Sequence, residues 1–208
     1  MAVYRIHRVF PSIQGEGRNA GRPVTFVRFS GCNLACQWCD THKDERMKLS
    51  EEEIVKKVLR YGNKSVIITG GEPTIQHNLG ALVSALKKAG MWVALETNGI
   101  RAPSCQDMFD YISVSPKAHY FSRYLDNVMI HRANEVRIVA VTDEIASFCK
   151  TMRSRIQAEN YYISPVDKDG RIHYRRALSL LVKVNKVMSG VMPPWCLSIQ
   201  MHKVIGVR

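Results

Sequence analysis

Acidic residues are scarce in this chain: 18 Asp and Glu stand against 30 Lys and Arg, a formal net charge of +12 over 208 residues. The imbalance favours anionic partners, whether nucleic acid, an acidic electron-transfer protein or small anionic ligands, and says nothing about fold. Long apolar runs are also missing. None approaches the length of a membrane-spanning helix, and Met1 to His7 lack the apolar core of a signal peptide, so a cytoplasmic protein without membrane contact is expected. Cysteine is too sparse for a stapled fold, since six in a chain of this size do not make a disulfide scaffold. There is no zinc finger, no aromatic-interleaved RNA-binding motif and no basic tail, which argues against a nucleic-acid partner. The basic stretch from Lys150 to Lys186, with Arg153, Arg155, Arg171, Arg175 and Arg176, reads instead as a solvated face.

What is present describes an ordinary globular protein, with 46% hydrophobic and 23% charged residues. The length suits one domain spanning 1–208. Strands are predicted at Tyr4–Ile13, Thr25–Phe29, Ser65–Ile68, Trp92–Glu96, Tyr111–Val114, Glu135–Val141, Tyr161–Ile163 and Cys196–Gln200. Turn residues between the first two predict a hairpin. Helices are predicted from Glu51 to about Tyr61, Asn78 to Ala89, Asp143 to about Gln157, and Tyr174 to about Val187. The first opens on Ser50 followed by Glu51, Glu52 and Glu53, a capping box, and the second closes at Gly90. Strands alternating with helices predict an α/β fold with a largely parallel sheet. Eight full units do not fit in this length, so an incomplete, partly open (β/α) barrel is expected, with its site at the carboxyl ends of the strands.

The densest chemistry lies in the loop at 31–41, Gly31-Cys32-Asn33-Leu34-Ala35-Cys36-Gln37-Trp38-Cys39-Asp40-Thr41. Three thiolates at C-x3-C-x2-C can hold three irons of a 4Fe-4S cluster and leave the fourth open. A structural zinc site with His42 as fourth ligand is the alternative, although no second ligand pair follows as it does in common zinc modules. Cys105, Cys149 and Cys196 stand singly and read as packing or surface residues. A second motif, Thr69-Gly70-Gly71-Glu72-Pro73, ends the third predicted strand, where glycines let backbone approach a ligand and a carboxylate can accept from an ammonium group.

Together these motifs resemble the radical S-adenosylmethionine (SAM) superfamily. Ile13-Gln14-Gly15-Glu16-Gly17, Cys39-Asp40-Thr41, Glu96-Thr97-Asn98-Gly99, Ser115-Pro116-Lys117 and Gln200-Met201-His202-Lys203 extend the resemblance over nearly the whole chain, to the 7-carboxy-7-deazaguanine synthase family. That resemblance implies a ring-contracting lyase of queuosine-type 7-deazapurine biosynthesis. It would convert 6-carboxy-5,6,7,8-tetrahydropterin to 7-carboxy-7-deazaguanine with loss of ammonia. A glycyl-radical-enzyme activase shares the cysteine loop and small size, but needs no pterin pocket.

The resemblance also assigns residues. Cys32, Cys36 and Cys39 would hold the 4Fe-4S cluster, and Thr41 a magnesium ion at the substrate carboxylate. Trp38, Asp40, Gly71, Glu72, the turn Ser115, Pro116 and Lys117, and the turn Ser164, Pro165, Val166 and Asp167 match SAM contacts. Ile13, Gln14, Gly15, Glu16, Arg28, Thr69, His202 and Arg208 match the pterin surroundings. Ser164 stands where the family commonly has glutamine, and Arg208 where the chain more usually ends on a small or apolar residue. A flavodoxin-like electron donor and a homodimer complete what the resemblance implies.

Overall fold

The structure, a computed structural model, describes all residues except 1, 38, 40–43, 45, 126–128, 169 and 208. The chain begins with an antiparallel pair, β1 (Val3–Ile13) and β2 (Pro23–Phe29), as the turn residues between them predict. A short strand β3 (Met47–Ser50) returns beside β1. Then follow α1 (Glu51–Arg60), β4 (Ser65–Gly70), α2 (Leu79–Lys88), β5 (Trp92–Thr97), β6 (Tyr111–Val114), β7 (Arg132–Val139), α3 (Ile145–Arg155) and β8 (Gln157–Ser164). A two-stranded hairpin, β9 (Asp167–Lys168) and β10 (Arg171–Ile172), precedes α4 (Tyr174–Val187), β11 (Trp195–Leu197) and the short α5 (Met201–Val204).

Nine of these strands form one sheet in the order β11-β8-β7-β6-β5-β4-β2-β1-β3. From β2 to β11 every pairing is parallel, and β1 and β3 extend the far side antiparallel. The end strands β3 and β11 do not pair with each other, so the sheet is the open barrel expected.

Alternation along the strands separates two faces. The outer face presents Val66, Ile68, Val93, Leu95, Val136 and Ile138 to the helices, which answer with Ile54 and Val58 of α1, Leu82 and Leu86 of α2, Cys149 of α3 and Leu180 of α4. The inner face carries a smaller apolar plug of Phe10, Val24, Phe26, Ile67 and Ala94. Two residues further along β2, β4 and β5 the same inner rows turn polar, at Arg28, Thr69 and Glu96. Register carries that row across the sheet, pairing Arg28 with Thr69, Glu96 with Ser113, and Ser113 with Glu135. The plug therefore floors a polar cup at the carboxyl ends.

The capping box forms as read: Ser50 Oγ accepts from Glu53 N, and Glu53 Oε2 accepts from Ser50 N at 2.7 Å. The span of α4 is the predicted one. β7 and β8 start earlier than their apolar cores suggest, because the ladder continues through the polar pairs Arg132–Gln157 and Glu135–Asn160 and the small pair Ala133–Ala158 between them. β11 is shorter than predicted; beyond Leu197, Ser198 N makes a last bond to Ile163 O at 2.9 Å and its Oγ accepts from Gly17 N at 2.9 Å. Among the described residues no helix is long and apolar enough to cross a membrane.

Candidate active site

The cysteine loop leaves β2 at Phe29 and is held from three directions. Gly71 N donates to Phe29 O at 3.1 Å and Glu72 N to Gly31 O at 2.9 Å. This contact requires glycine, since a Cβ on Gly71 would lie 1.6 Å from Gly31 O. From the β5 end, Asn98 Nδ2 donates to Asn33 Oδ1 at 2.7 Å. From the 3-10 turn at Ala118–Tyr124, Arg123 donates to Asn33 O at 3.0 Å and Tyr120 OH accepts from Ala35 N at 3.1 Å.

Behind the loop, Glu72 is fully buried. Its Oε1 accepts from Thr74 N at 3.0 Å, Thr74 Oγ1 at 2.8 Å and Thr97 Oγ1 at 2.6 Å, and its Oε2 from Asn98 N at 2.7 Å. Burial pushes the Glu72 carboxyl up, against those four donors. The carboxylate lies behind the cavity and ties the ends of β4 and β5 together, so it reaches the cavity through Thr97 and Asn98.

Two adjoining chambers occupy the cup. The larger, about 230 Å³, is lined by Cys32, Cys36 and Cys39 together with Gly71, Ser115, Lys117, Ser164, Pro165 and Asp167. The smaller, about 150 Å³, is lined by Ile13, Gln14, Gly15, Arg28 and His202. Glu16, Thr69, Glu96, Arg137 and Gln200 line both. Residues matched to SAM thus line the larger room only, while those matched to the pterin line the smaller, with Glu16 and Thr69 on the wall the two rooms share. Glu72, Pro116 and Val166 stand outside the linings. Trp38, Asp40, Thr41 and Arg208, and His42 of the zinc alternative, lie outside the described residues.

The larger chamber suits a cluster and a polar ligand. Among the described residues no three His, Cys, Asp or Glu side chains converge as a single ion would require. A 4Fe-4S cluster gives each of its thiolates its own iron, and three thiols line this room. Among the described residues the buried Ser164 Oγ has no hydrogen-bond partner, and Lys117 Nζ donates to Ser115 Oγ at 2.7 Å. Burial pushes the Lys117 ammonium down, against the pull of Cys36 and Glu16.

The smaller chamber is roofed by the end of the chain. Met201 N donates to Gly15 O at 2.9 Å, and a Cβ on Gly15 would fall 1.8 Å from His202 Nδ1. Lys203 Nζ reaches Asp167 Oδ2 at 2.8 Å, joining the roof to the turn after β8. Arg28 lies over the Phe10 ring at 5.3 Å, on the apolar plug.

Sequence reading missed the centre of the shared wall as a site. Arg137 forms ion pairs with Glu16, Glu96 and Glu135. The available signal was period-two placement, since Glu135 and Arg137 share the face opposite Val136 and Ile138. Part of the basic stretch is also structural. Arg153 donates to Pro193 O at 2.7 Å and stacks on Tyr161, while Arg155 donates to Leu125 O at 3.1 Å. Lys150, Arg171, Arg175, Lys183 and Lys186 remain exposed.

A sequence profile of the Radical SAM superfamily matches residues 26–151. The chain is 42% identical over 205 residues to a 7-carboxy-7-deazaguanine synthase from Haemophilus influenzae, covering 99% of this chain and 94% of that one. A 7-carboxy-7-deazaguanine synthase from Neisseria meningitidis serogroup B matches at the same identity and coverage. The crystal structure of QueE from Escherichia coli superposes with a TM-score of 0.71 at 25% identity, over 96% of this chain and 95% of that one.

Proposed function

Because the chain belongs to the 7-carboxy-7-deazaguanine synthase family of the radical SAM superfamily, we propose that its two chambers divide one reaction between them. The enzyme is a SAM-dependent lyase of 7-deazapurine biosynthesis. The larger chamber holds the 4Fe-4S cluster on Cys32, Cys36 and Cys39 with SAM beside it, and the smaller holds 6-carboxy-5,6,7,8-tetrahydropterin. One observation supports this reading: the room lined by the three thiols shares a wall with a second room lined by residues matched to the pterin.

When bound, the cluster and SAM supply abstraction of a hydrogen atom from the substrate carbon. The chain's own residues do the rest. The Gly71–Gly31 contact sets where the thiols stand relative to the end of β4. Thr97 and Asn98, fixed by Glu72, offer polar groups at the larger chamber. Arg28 places a cation at the smaller one, suited to the substrate carboxylate. The roof of Met201 to Val204 over Gly15 excludes water while the ring contracts. Anaerobically reconstituted protein should convert the carboxypterin to 7-carboxy-7-deazaguanine. SAM cleavage with the pterin left intact would overturn this reading.

Magnesium belongs to the proposal through Thr41, whose hydroxyl is a hard oxygen ligand of the kind this ion takes. Thr41→Ala is expected to retain iron content and SAM binding, turn over about tenfold or more slowly and lose its magnesium dependence. Unchanged turnover and metal dependence would remove that role.

The electron donor in this reading is an acidic, flavodoxin-like protein rather than a nucleic acid. It would meet the exposed part of the basic stretch, at Arg175, Lys183 and Lys186 of α4. Complementary charge mainly raises association rate, and salt screens it over about 8–10 Å. Turnover driven by flavodoxin should therefore fall with salt, while turnover driven by a small chemical reductant should hardly change. Equal salt responses, or tight tRNA binding with a steep salt slope, would count against it. We also read the chain as one domain, a homodimer and cytoplasmic; light scattering at known concentration tests the dimer.

A further inference from the structure

Arg137 is buried on the inner face of β7 and uses all three guanidinium nitrogens. Nη1 donates to Glu16 Oε2 at 2.7 Å, Nη2 donates to Glu96 Oε1, and Nε donates to Ser113 Oγ at 2.9 Å and lies 3.0 Å from Glu135 Oε1. The three carboxylates are not equivalent. Glu135 is saturated, accepting also from Tyr111 OH at 2.8 Å, Ser113 Oγ at 2.8 Å and Arg18 N at 2.9 Å. It serves to fix Arg137 and the turn at Gly17–Asn19.

Glu16 and Glu96 each give the guanidinium one oxygen and keep acceptor capacity on the other. Oε1 of Glu16 takes no hydrogen bond among the described residues, and Oε2 of Glu96 takes only the Thr69 hydroxyl at 3.1 Å. Both residues line both chambers. A buried ion network adds little net stability over apolar packing. Two acceptors held rigidly on a pocket wall, by contrast, are what preorganised recognition of a ligand with N–H donors needs.

We propose that Arg137 is a positioning residue for the reaction, its one guanidinium holding the carboxylates of Glu16 and Glu96, brought from two different strand ends, as fixed acceptors toward the substrate. This rests on the reading of the smaller chamber as the substrate's. Burial alone would raise the Glu96 carboxyl; the Arg137 charge, with hydrogen bonds from Gln14, Arg137 and Thr69, outweighs it and holds that carboxyl below its ordinary range. The other charged or titratable groups lining its two chambers are Glu16 after β1, Lys117 after β6, Arg28 on β2, Asp167 after β8, His202 and Lys203 on α5 and the three cysteines of the loop, with Glu135 of β7 behind Arg137. Without Arg137, burial and the two neighbouring carboxylates push Glu96 upward with no adjacent guanidinium to oppose them.

The test compares the full chain with Arg137→Gln in two readouts that need no turnover. The first is NMR titration of ¹³C-labelled Glu carboxyls, assigned with Glu96→Gln. The second is calorimetric binding of 6-carboxy-5,6,7,8-tetrahydropterin to reconstituted, unreduced holoenzyme with SAM from about pH 5 to pH 8. In Arg137→Gln, Glu96 is expected to titrate at clearly higher pH. Affinity should fall about tenfold near pH 8 and further toward pH 5, as Glu96 gains a proton and loses an acceptor. Adding Glu96→Gln to Arg137→Gln should flatten the pH dependence. Arg137→Lys should keep Glu96 ionised yet bind more weakly, because a compact ammonium does not grip two carboxylates as a fork does.

An unmoved Glu96 titration in Arg137→Gln, or an affinity loss equal at every pH, would overturn the proposal. If Arg137→Gln does not fold, Arg137→Lys decides: full wild-type affinity overturns the role, and reduced affinity with Glu96 ionised supports it. If wild-type protein fails to bind the pterin at all, the functional reading falls, while the Glu96 titration still decides for or against Arg137.

Discussion

Replacing Cys36 with alanine is expected to abolish iron retention and all SAM-dependent turnover. Cys32→Ala and Cys39→Ala should do the same, because the only thiols lining the chamber among the described residues are these three. A cluster bound through three thiolates has no protein ligand to spare. Cys149→Ala is the control. Cys149 is buried in the outer core, and burial pushes its thiol well up, so it stays protonated and packs as a small hydrophobe. Its loss should cost about 1 kcal/mol or less and leave iron and sulfide content unchanged. Iron and sulfide analysis of anaerobically purified variants reads both outcomes. Iron retained by Cys36→Ala and lost by Cys149→Ala would defeat the assignment.

The second large effect is expected at Glu72, through stability. Glu72→Gln keeps size and shape but turns one oxygen into an amide donor. With the amide oxygen in the Oε1 place, where three donors converge, the new NH2 faces the backbone N–H of Asn98. One buried donor is orphaned, at about 1–3 kcal/mol. The three surviving bonds lose their charge assistance as well. A melting temperature lower by about 4–10 °C follows for a chain of this size. Asn98 also donates to Asn33 in the cysteine loop, so SAM affinity should fall with stability. Glu72→Gln with an unchanged melting curve and unchanged SAM binding would show that the carboxylate is not the tie described.

Local chemistry made much of this legible in advance. Ser50 and Glu53 cap α1 through neighbours three residues apart, and such a signal survives in any fold. The cysteine spacing and Gly70-Gly71 likewise carry their meaning within a few residues. Glu135-Val136-Arg137-Ile138-Val139 reads equally as a strand with two solvated charges. Only the curvature of the sheet turns that polar face inward, against Glu16 and Glu96, which arrive from 121 and 41 residues away. The wall between the chambers is a product of register, which no single window of sequence contains. β3 and the β9–β10 hairpin were missed for another reason. Strands of four and two residues exist because a partner is in place, and carry too few positions for a period to show.

An open sheet has two ends, and each end is a hazard of self-association, since an unpaired strand edge can template pairing with another copy. Here both ends are short: three residues at β11 and four at β3. Pro193 and Pro194, which have no backbone N–H to offer, directly precede β11, and exposed Lys48 stands midway along β3. These are devices that blunt an edge against fibril-like growth. The +12 net charge adds repulsion between copies at longer range. The rims of the open barrel thus carry the residues that discourage growth by strand pairing.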